Sequence, residues 1–260
     1  MPARVLERVV FQGGTALRLC YGAERYSEYL DFVCGAKGGY IDDADFGDIV
    51  QSALESARQM LAKNFGIVPD AITVTAPANV SALRQDAVAV ATWQMRIPVE
   101  ATARAPRSSI KVEFANVPSY DNGPAVAGNR LGLPDIPDII LRVESPNEIL
   151  ADKAVALTAR PVLKYRDIWD VWFLRQRLTA GHDRTMVAKK FADYRTADAE
   201  KKARGRIGLL TLPETQSGFV AEMSRFLPLA RIEEMRRFSL PQTILAESAQ
   251  LLRKTVSAAT

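Results

Sequence analysis

The feature that most constrains this chain is a change of pattern at Ser145. Ser145-Pro146-Asn147-Glu148 is a helix start, with serine in the N-cap place, proline at the first helical position and glutamate three residues after the serine. Beyond it, apolar residues recur at helical spacing through Ile168 to Leu174, Phe219 to Leu227, Ile232 to Phe238 and Ile244 to Val256. Before it, short apolar or alternating stretches read as strands at about Tyr29 to Cys34, Ala71 to Ala76, Ala87 to Ile97, Ile110 to Val117 and Asp138 to Val143. One long helix interrupts them: Asp45 can cap it, Phe46, Ile49, Val50, Ala53, Leu54, Ala57, Met60 and Leu61 form its apolar stripe, and it ends near Gly66. The expected class is therefore α+β, a mixed-sheet domain over residues 1–144 followed by a helical domain over residues 145–260. Residues 118–137, broken by Pro118, Pro124, Pro134, Pro137 and three glycines, read as a long functional loop without regular elements.

Composition removes several classes of chemistry. A chain of 260 residues, 48% hydrophobic, can bury a full core without disulfides or structural metal. Cys20 and Cys34 lack metal-ligand spacing and read as two reduced, buried thiols. The single histidine, His182, lies in a Gly-His-Asp turn, which sets aside Ser-His-Asp hydrolases, histidine metalloenzymes and haem proteins. No apolar run approaches the ~20 residues of a membrane span, and charges interrupt the first residues, so a cytoplasmic protein with no membrane partner is expected.

The net charge of +4 is unevenly spread. Residues 184–206 carry Arg184, Lys189, Lys190, Arg195, Lys201, Lys202, Arg204 and Arg206 against Asp193, Asp198 and Glu200. Such a run suits a polyanionic partner, although a solvated helix face has the same composition.

Chemistry concentrates near the start of the chain. Gly13-Gly14-Thr15 lies between a strand and a helix, where backbone N–H groups and the helix dipole can meet an anion; a glycine turn without a ligand reads the same way. In Arg25-Tyr26-Ser27-Glu28-Tyr29-Leu30-Asp31-Phe32, strand period 2 places Ser27, Tyr29 and Asp31 on one face and Leu30 and Phe32 on the other. On the later strand Ile110, Val112 and Phe114 point one way and Lys111 and Glu113 the other, so Glu113 can meet Asp31 across the sheet, and two carboxylates there can hold Mg²⁺.

These strings resemble a known family. GGTALRLCYGAERYSEYLDF, followed by EILADKAVAL and RDIWDVWFL, is similar to the AbiEii/AbiGii nucleotidyltransferase toxins, type IV toxins with the DNA polymerase β-like nucleotidyltransferase fold. Gly13, Gly14, Arg25, Ser27, Leu30, Asp31 and Phe32 match the family's first motif, Glu113 its strand carboxylate, Lys153 its helix lysine, and Arg166 and Asp167 its Arg-Asp pair. The resemblance implies an enzyme that uses Mg²⁺ and a nucleoside triphosphate to add nucleotides to RNA, with tRNA acceptor ends as targets and a cognate antitoxin as partner. It implies catalytic roles for Ser27, Asp31, Glu113, Lys153 and Asp167. Nucleotide binding falls to Gly13, Gly14, Thr15, Arg25, Ser27 and Lys153, and metal binding to Asp31 and Glu113.

One departure is evident. Tyr29 stands where the family's Asp-x-Asp has its first aspartate, and a neutral phenol is a poor substitute for a metal-binding carboxylate. Impaired catalysis is the expectation, unless Glu28 or Asp42 supplies the missing charge. The alternatives are an inactive nucleotide- or RNA-binding relative and a protein that only pairs with an antitoxin. Asp170, one turn after Asp167, can share its role, and Trp169, Trp172 and Phe173 read as core.

Overall fold

The computed structural model describes residues 3–35, 45–77, 88, 90–98, 107–128 and 138–256. The chain divides into two compact units, residues 1–20 with 27–143, and residues 21–26 with 144–260. The short segment Tyr21–Tyr26 thus groups with the helices, where the sequence placed it in the sheet domain. Its anchors explain this: Arg25 pairs with Asp170, Arg231 with Glu24, and the Tyr26 N–H donates to the Phe226 carbonyl.

The first unit holds a mixed seven-stranded sheet. Its strands are β1 (Val10–Gln12), β2 (Tyr29–Gly35), β3 (Thr73–Thr75), β4 (Val90–Pro98), β5 (Arg107–Pro118), β6 (Asn122–Ala127) and β7 (Ile139–Glu144), ordered β3-β4-β5-β2-β1-β7-β6. The pairs β1–β7 and β2–β5 are parallel, whereas β1–β2, β3–β4 and β4–β5 are antiparallel. One face is apolar because alternate residues make it so. Phe11, Phe32, Phe114 and Ala91 lie in one register row, all buried. Phe32 stacks on Phe114 at 5.3 Å, and Trp93 meets Phe114 edge-on.

Short helices α1 (Ala3–Leu6) and α2 (Gly13–Leu19) precede the long α3 (Phe46–Phe65). Phe46 of α3 sets its ring edge-on to Phe114, and Ala62 packs with Ile72 and Met95, so α3 covers the apolar face. Gly66 closes α3 in the left-handed conformation, but Asp45 makes no side-chain cap; its carboxylate takes Arg8 at 3.1 Å instead.

The sequence reading of 118–137 as unbroken loop is corrected by β6, built from Asn-Gly-Pro-Ala-Val-Ala. Its place at the sheet edge tolerates Pro124, because an edge strand has N–H groups that no neighbour requires. Residues 129–137, which include Pro134 and Pro137, lie outside the described residues. Both cysteines are free as expected, yet only Cys34 is buried; Cys20 is half-exposed.

The second unit contains α4 (Pro146–Ala159), α5 (Tyr165–Arg177), α6 (Arg184–Asp193), α7 (Ala199–Leu210), α8 (Pro213–Met223), α9 (Leu229–Arg237) and α10 (Leu240–Val256). Ser145 caps α4 by accepting from the Glu148 N–H at 3.2 Å. The Glu148 carboxylate turns inward, 2.6 Å from the Lys190 ammonium, which also meets Glu144 at 3.1 Å and Asp152 at 3.3 Å.

Lys190 is wholly buried, which corrects its assignment to a solvent-facing basic run. Arg206, from the same run, is also inside: it donates to the Leu157 and Arg160 carbonyls at 2.8 and 2.6 Å and so satisfies the end of α4. Arg184, Lys189, Arg195, Lys201, Lys202 and Arg204 remain exposed. Three acids face one ammonium in the Lys190 cluster. Burial, reinforced by Asp152, drives Glu144 well above the usual carboxylate range, so protons share the charge balance. Lys190→Met should leave buried acids without their cation and destabilise the protein by roughly 3–5 kcal/mol in denaturant titrations.

Candidate functional site

On the sheet face opposite the phenylalanines, two polar rows cross the strands. Register pairs Gln12 with Asp31, Asp31 with Glu113, and Glu113 with Thr92, all half-buried. Partner residues of adjacent parallel strands have backbones about 4.8 Å apart and point the same way. Asp31 and Glu113 are thus side by side, the arrangement the period-2 reading anticipated.

The next row holds Tyr29, Lys111 and Gln94. Lys111 Nζ donates to the Tyr29 hydroxyl at 3.3 Å and lies 5.1 Å from the ring centroid. Gln94 donates to Ser109 at 2.6 Å. The same period 2 that selected Glu113 places Lys111 on its face, two residues earlier, but sequence reasoning assigned Lys111 no role.

Gly13 bounds the acidic row. Its φ of +73° is a left-handed conformation, and a Cβ there would fall 2.7 Å from Asp31 Oδ2. Only glycine allows β1 to turn into α2 so close to that carboxylate. Thr15 is buried and its hydroxyl donates to the Tyr29 carbonyl, so this side chain pins α2 to β2. Gly14 is buried, Ser27 is half-buried two residues before β2, Glu28 is exposed, and Asp42 lies outside the described residues.

Mg²⁺ is commonly held by one or two carboxylates together with substrate phosphate oxygens and waters, so Asp31 and Glu113 fit one such ion. Among the described residues no group of three His, Cys, Asp or Glu side chains could hold a metal by itself.

In the helical unit, Lys153 of α4 meets Asp167 at 2.7 Å and Asp170 at 2.8 Å, both from α5 and one turn apart. Arg25 adds a two-pronged bond to Asp170, 2.9 Å to each oxygen, and Arg160 reaches Asp167 at 3.1 Å. Asp167 is therefore paired with Lys153 and Arg160 rather than with its neighbours Lys164 or Arg166. Arg25 is 3% exposed and committed to Asp170, a partner the sequence reading did not supply. Trp169 and Phe173 are buried as expected, while Trp172, 4.8 Å from Trp169, is half-buried.

Burial alone would depress the Lys153 pKa, but the two aspartates outweigh it and raise it, keeping the ammonium charged. Burial also works against Asp170, yet Arg25 and Lys153 bring its carboxyl down to about 2. A carboxyl depressed on folding stabilises above its unfolded pKa, near 4, and that stability disappears as pH falls through its folded value. Asp170→Asn should cost roughly 3–5 kcal/mol at pH 7, where it leaves Arg25 buried without its carboxylate. The gap from the parent protein should narrow toward pH 2 in denaturation series.

A mixed sheet with paired strand acids, a left-handed glycine against one of them and a following helical unit define a nucleotidyltransferase-fold protein of the α+β class. The family model for the nucleotidyl transferase AbiEii toxin of type IV toxin–antitoxin systems matches residues 3–248, and the chain belongs to that family. Similar solved structures include a candidate nucleotidyltransferase from H. pylori, 19% identical, covering 100% of this chain and 95% of its own, with a TM-score of 0.46. JHP933 from Helicobacter pylori is 18% identical, covering 98% and 90%, also with a TM-score of 0.46. None of the curated proteins compared with the chain matches it. Among the described residues, no helix is long and apolar enough to cross a membrane.

Proposed function

We propose that the protein is a cytoplasmic toxin that transfers nucleotides from a nucleoside triphosphate to RNA, with the tRNA acceptor end as target and a cognate antitoxin as its controlling partner. The observation that carries this reading is the register pairing of Asp31 with Glu113 in a chain of the AbiEii family. The two carboxylates would hold Mg²⁺, which when bound neutralises phosphate charge and lowers the barrier to displacement of pyrophosphate. Gly13 lets β1 turn into α2 beside the Asp31 carboxylate, the N–H groups of Gly13 and Gly14 would meet a phosphate there, and Ser27 offers a hydroxyl at the entry to β2.

Lys153 and Asp167 belong to the proposal through their family positions. Lys153 is ion-paired to both Asp167 and Asp170, so a phosphate would have to compete with these carboxylates for it, and Asp167 would orient it. Arg25 and Thr15, also expected to bind nucleotide, would instead act through Asp170 and the β2 backbone. With Tyr29 in place of a carboxylate, transfer would be slow. A nucleotide-binding relative without catalysis is the second reading, and the same residue favours it.

The decisive assay incubates the protein with each labelled nucleoside triphosphate, Mg²⁺ and total tRNA. Labelled tRNA should appear with at least one nucleotide, and Asp31→Asn or Glu113→Gln should reduce its formation by about a hundredfold or more, the ~2.7 kcal/mol expected from losing a metal ligand. Nucleotide binding without any labelling would favour the second reading. Reversing the exposed charges of Lys189, Lys201 and Lys202 should weaken tRNA binding and flatten its logarithmic salt slope by about 2–3, since each phosphate contact contributes ~0.7–0.9. An unchanged slope would make that run a solvated helix face.

A further inference from the structure

A cation is built into the polar face of the sheet, and its partner is a neutral phenol. Lys111 shares its face of β5 with Glu113, two residues on, and pairs in register with Tyr29 as Glu113 pairs with Asp31. Strand geometry sets the two rows about 6.6–6.8 Å apart along the strands, and Lys111 is held in its own row at Tyr29 rather than among the acids. Among the described residues no carboxylate forms an ion pair with Lys111; the Tyr29 hydroxyl accepts from it at 3.3 Å and the ring lies beneath it at 5.1 Å. An ammonium carries three N–H donors, and the phenol takes one.

We infer that Lys111 is the phosphate-binding cation of this face, taking an oxygen of a nucleoside triphosphate one row away from the Asp31–Glu113 pair. The inference rests on the proposed nucleotidyl transfer and assigns a residue that the family motifs did not point to. Its physical basis is charge. Two strand acids repel a polyphosphate, and a compact ammonium at the end of a flexible stem is a point charge suited to phosphate oxygen. Tyr29 has a role in this arrangement: it holds the stem of Lys111 by cation–π contact and a hydrogen bond without neutralising it. A carboxylate at position 29 would ion-pair with Lys111 and withdraw it from the nucleotide. A fixed ammonium needs no metal, so part of the affinity for nucleotide should persist in a chelator.

Calorimetric titration of the full chain with ATP, GTP, CTP and UTP, in EDTA and in millimolar Mg²⁺, tests this. At least one nucleotide should bind in EDTA, and Lys111→Met should weaken it by about tenfold or more, a ~1.4 kcal/mol loss. Lys111→Arg should restore binding to within about threefold. Unfolding midpoints of each variant separate loss of the cation from loss of the fold. Parent-like affinity of Lys111→Met in EDTA overturns the assignment. So does binding seen only with Mg²⁺, which leaves the nucleotide reading standing, whereas no binding under either condition overturns both.

Discussion

The parallel pairing of β2 with β5 is the constraint on which the first unit depends. Because side chains alternate with period 2, one register fixes both faces at once: Phe32 against Phe114 on one side, Asp31 against Glu113 on the other. A slip of one residue would push Asp31 into the α3 layer and Phe32 to the polar face. The aromatic row of Phe11, Phe32 and Phe114, with Phe46 and Trp93 set edge-on, disfavours that slip through apolar burial. The acids owe their alignment to the phenylalanines behind them.

Charge is handled differently in the two units. On the sheet the polar rows beside the acids are half-buried, and the cation among them, Lys111, is matched with an aromatic hydroxyl. In the helical unit charges go deep: Lys190 among Glu144, Glu148 and Asp152, and Lys153 between Asp167 and Asp170 with Arg25 behind. Desolvation makes such clusters costly unless every member is paired, which fixes the position of each helix relative to its partner helix within that unit. The two clusters are tuned oppositely. Burial lifts Glu144 toward its neutral form, whereas paired cations keep Asp170 ionised.

The sequence made legible what depends on local rules. Alternation located β2, β4 and β5, helical spacing located α3, and Ser145 announced α4. It also placed Asp31 and Glu113 on one face, since period and register needed only Leu30, Phe32, Val112 and Phe114 as markers. Long-range pairing was hidden. Lys190 and Arg206 look like their solvated neighbours until α4 is set beside them, and Gly123-Pro124 conceals β6 because edge position is a property of the sheet, not of the segment. Thr15 and Arg25 matched a motif, yet their donors are directed to the Tyr29 backbone and to Asp170. Alternation put Lys111 on the Glu113 face, yet its role stayed hidden because the Tyr29 partner depends on strand register.

In the proposed site, Asp31 and Glu113 together would hold one divalent metal ion beside the nucleotide. Titration with Mn²⁺ in the presence of ATP, followed by electron paramagnetic resonance of the free ion, tests it most directly. One Mn²⁺ should bind per chain in the parent protein, and it should be lost in an Asp31→Asn, Glu113→Gln double variant that unfolds at the parent's temperature. The same stoichiometry and affinity in that variant would contradict the shared metal site.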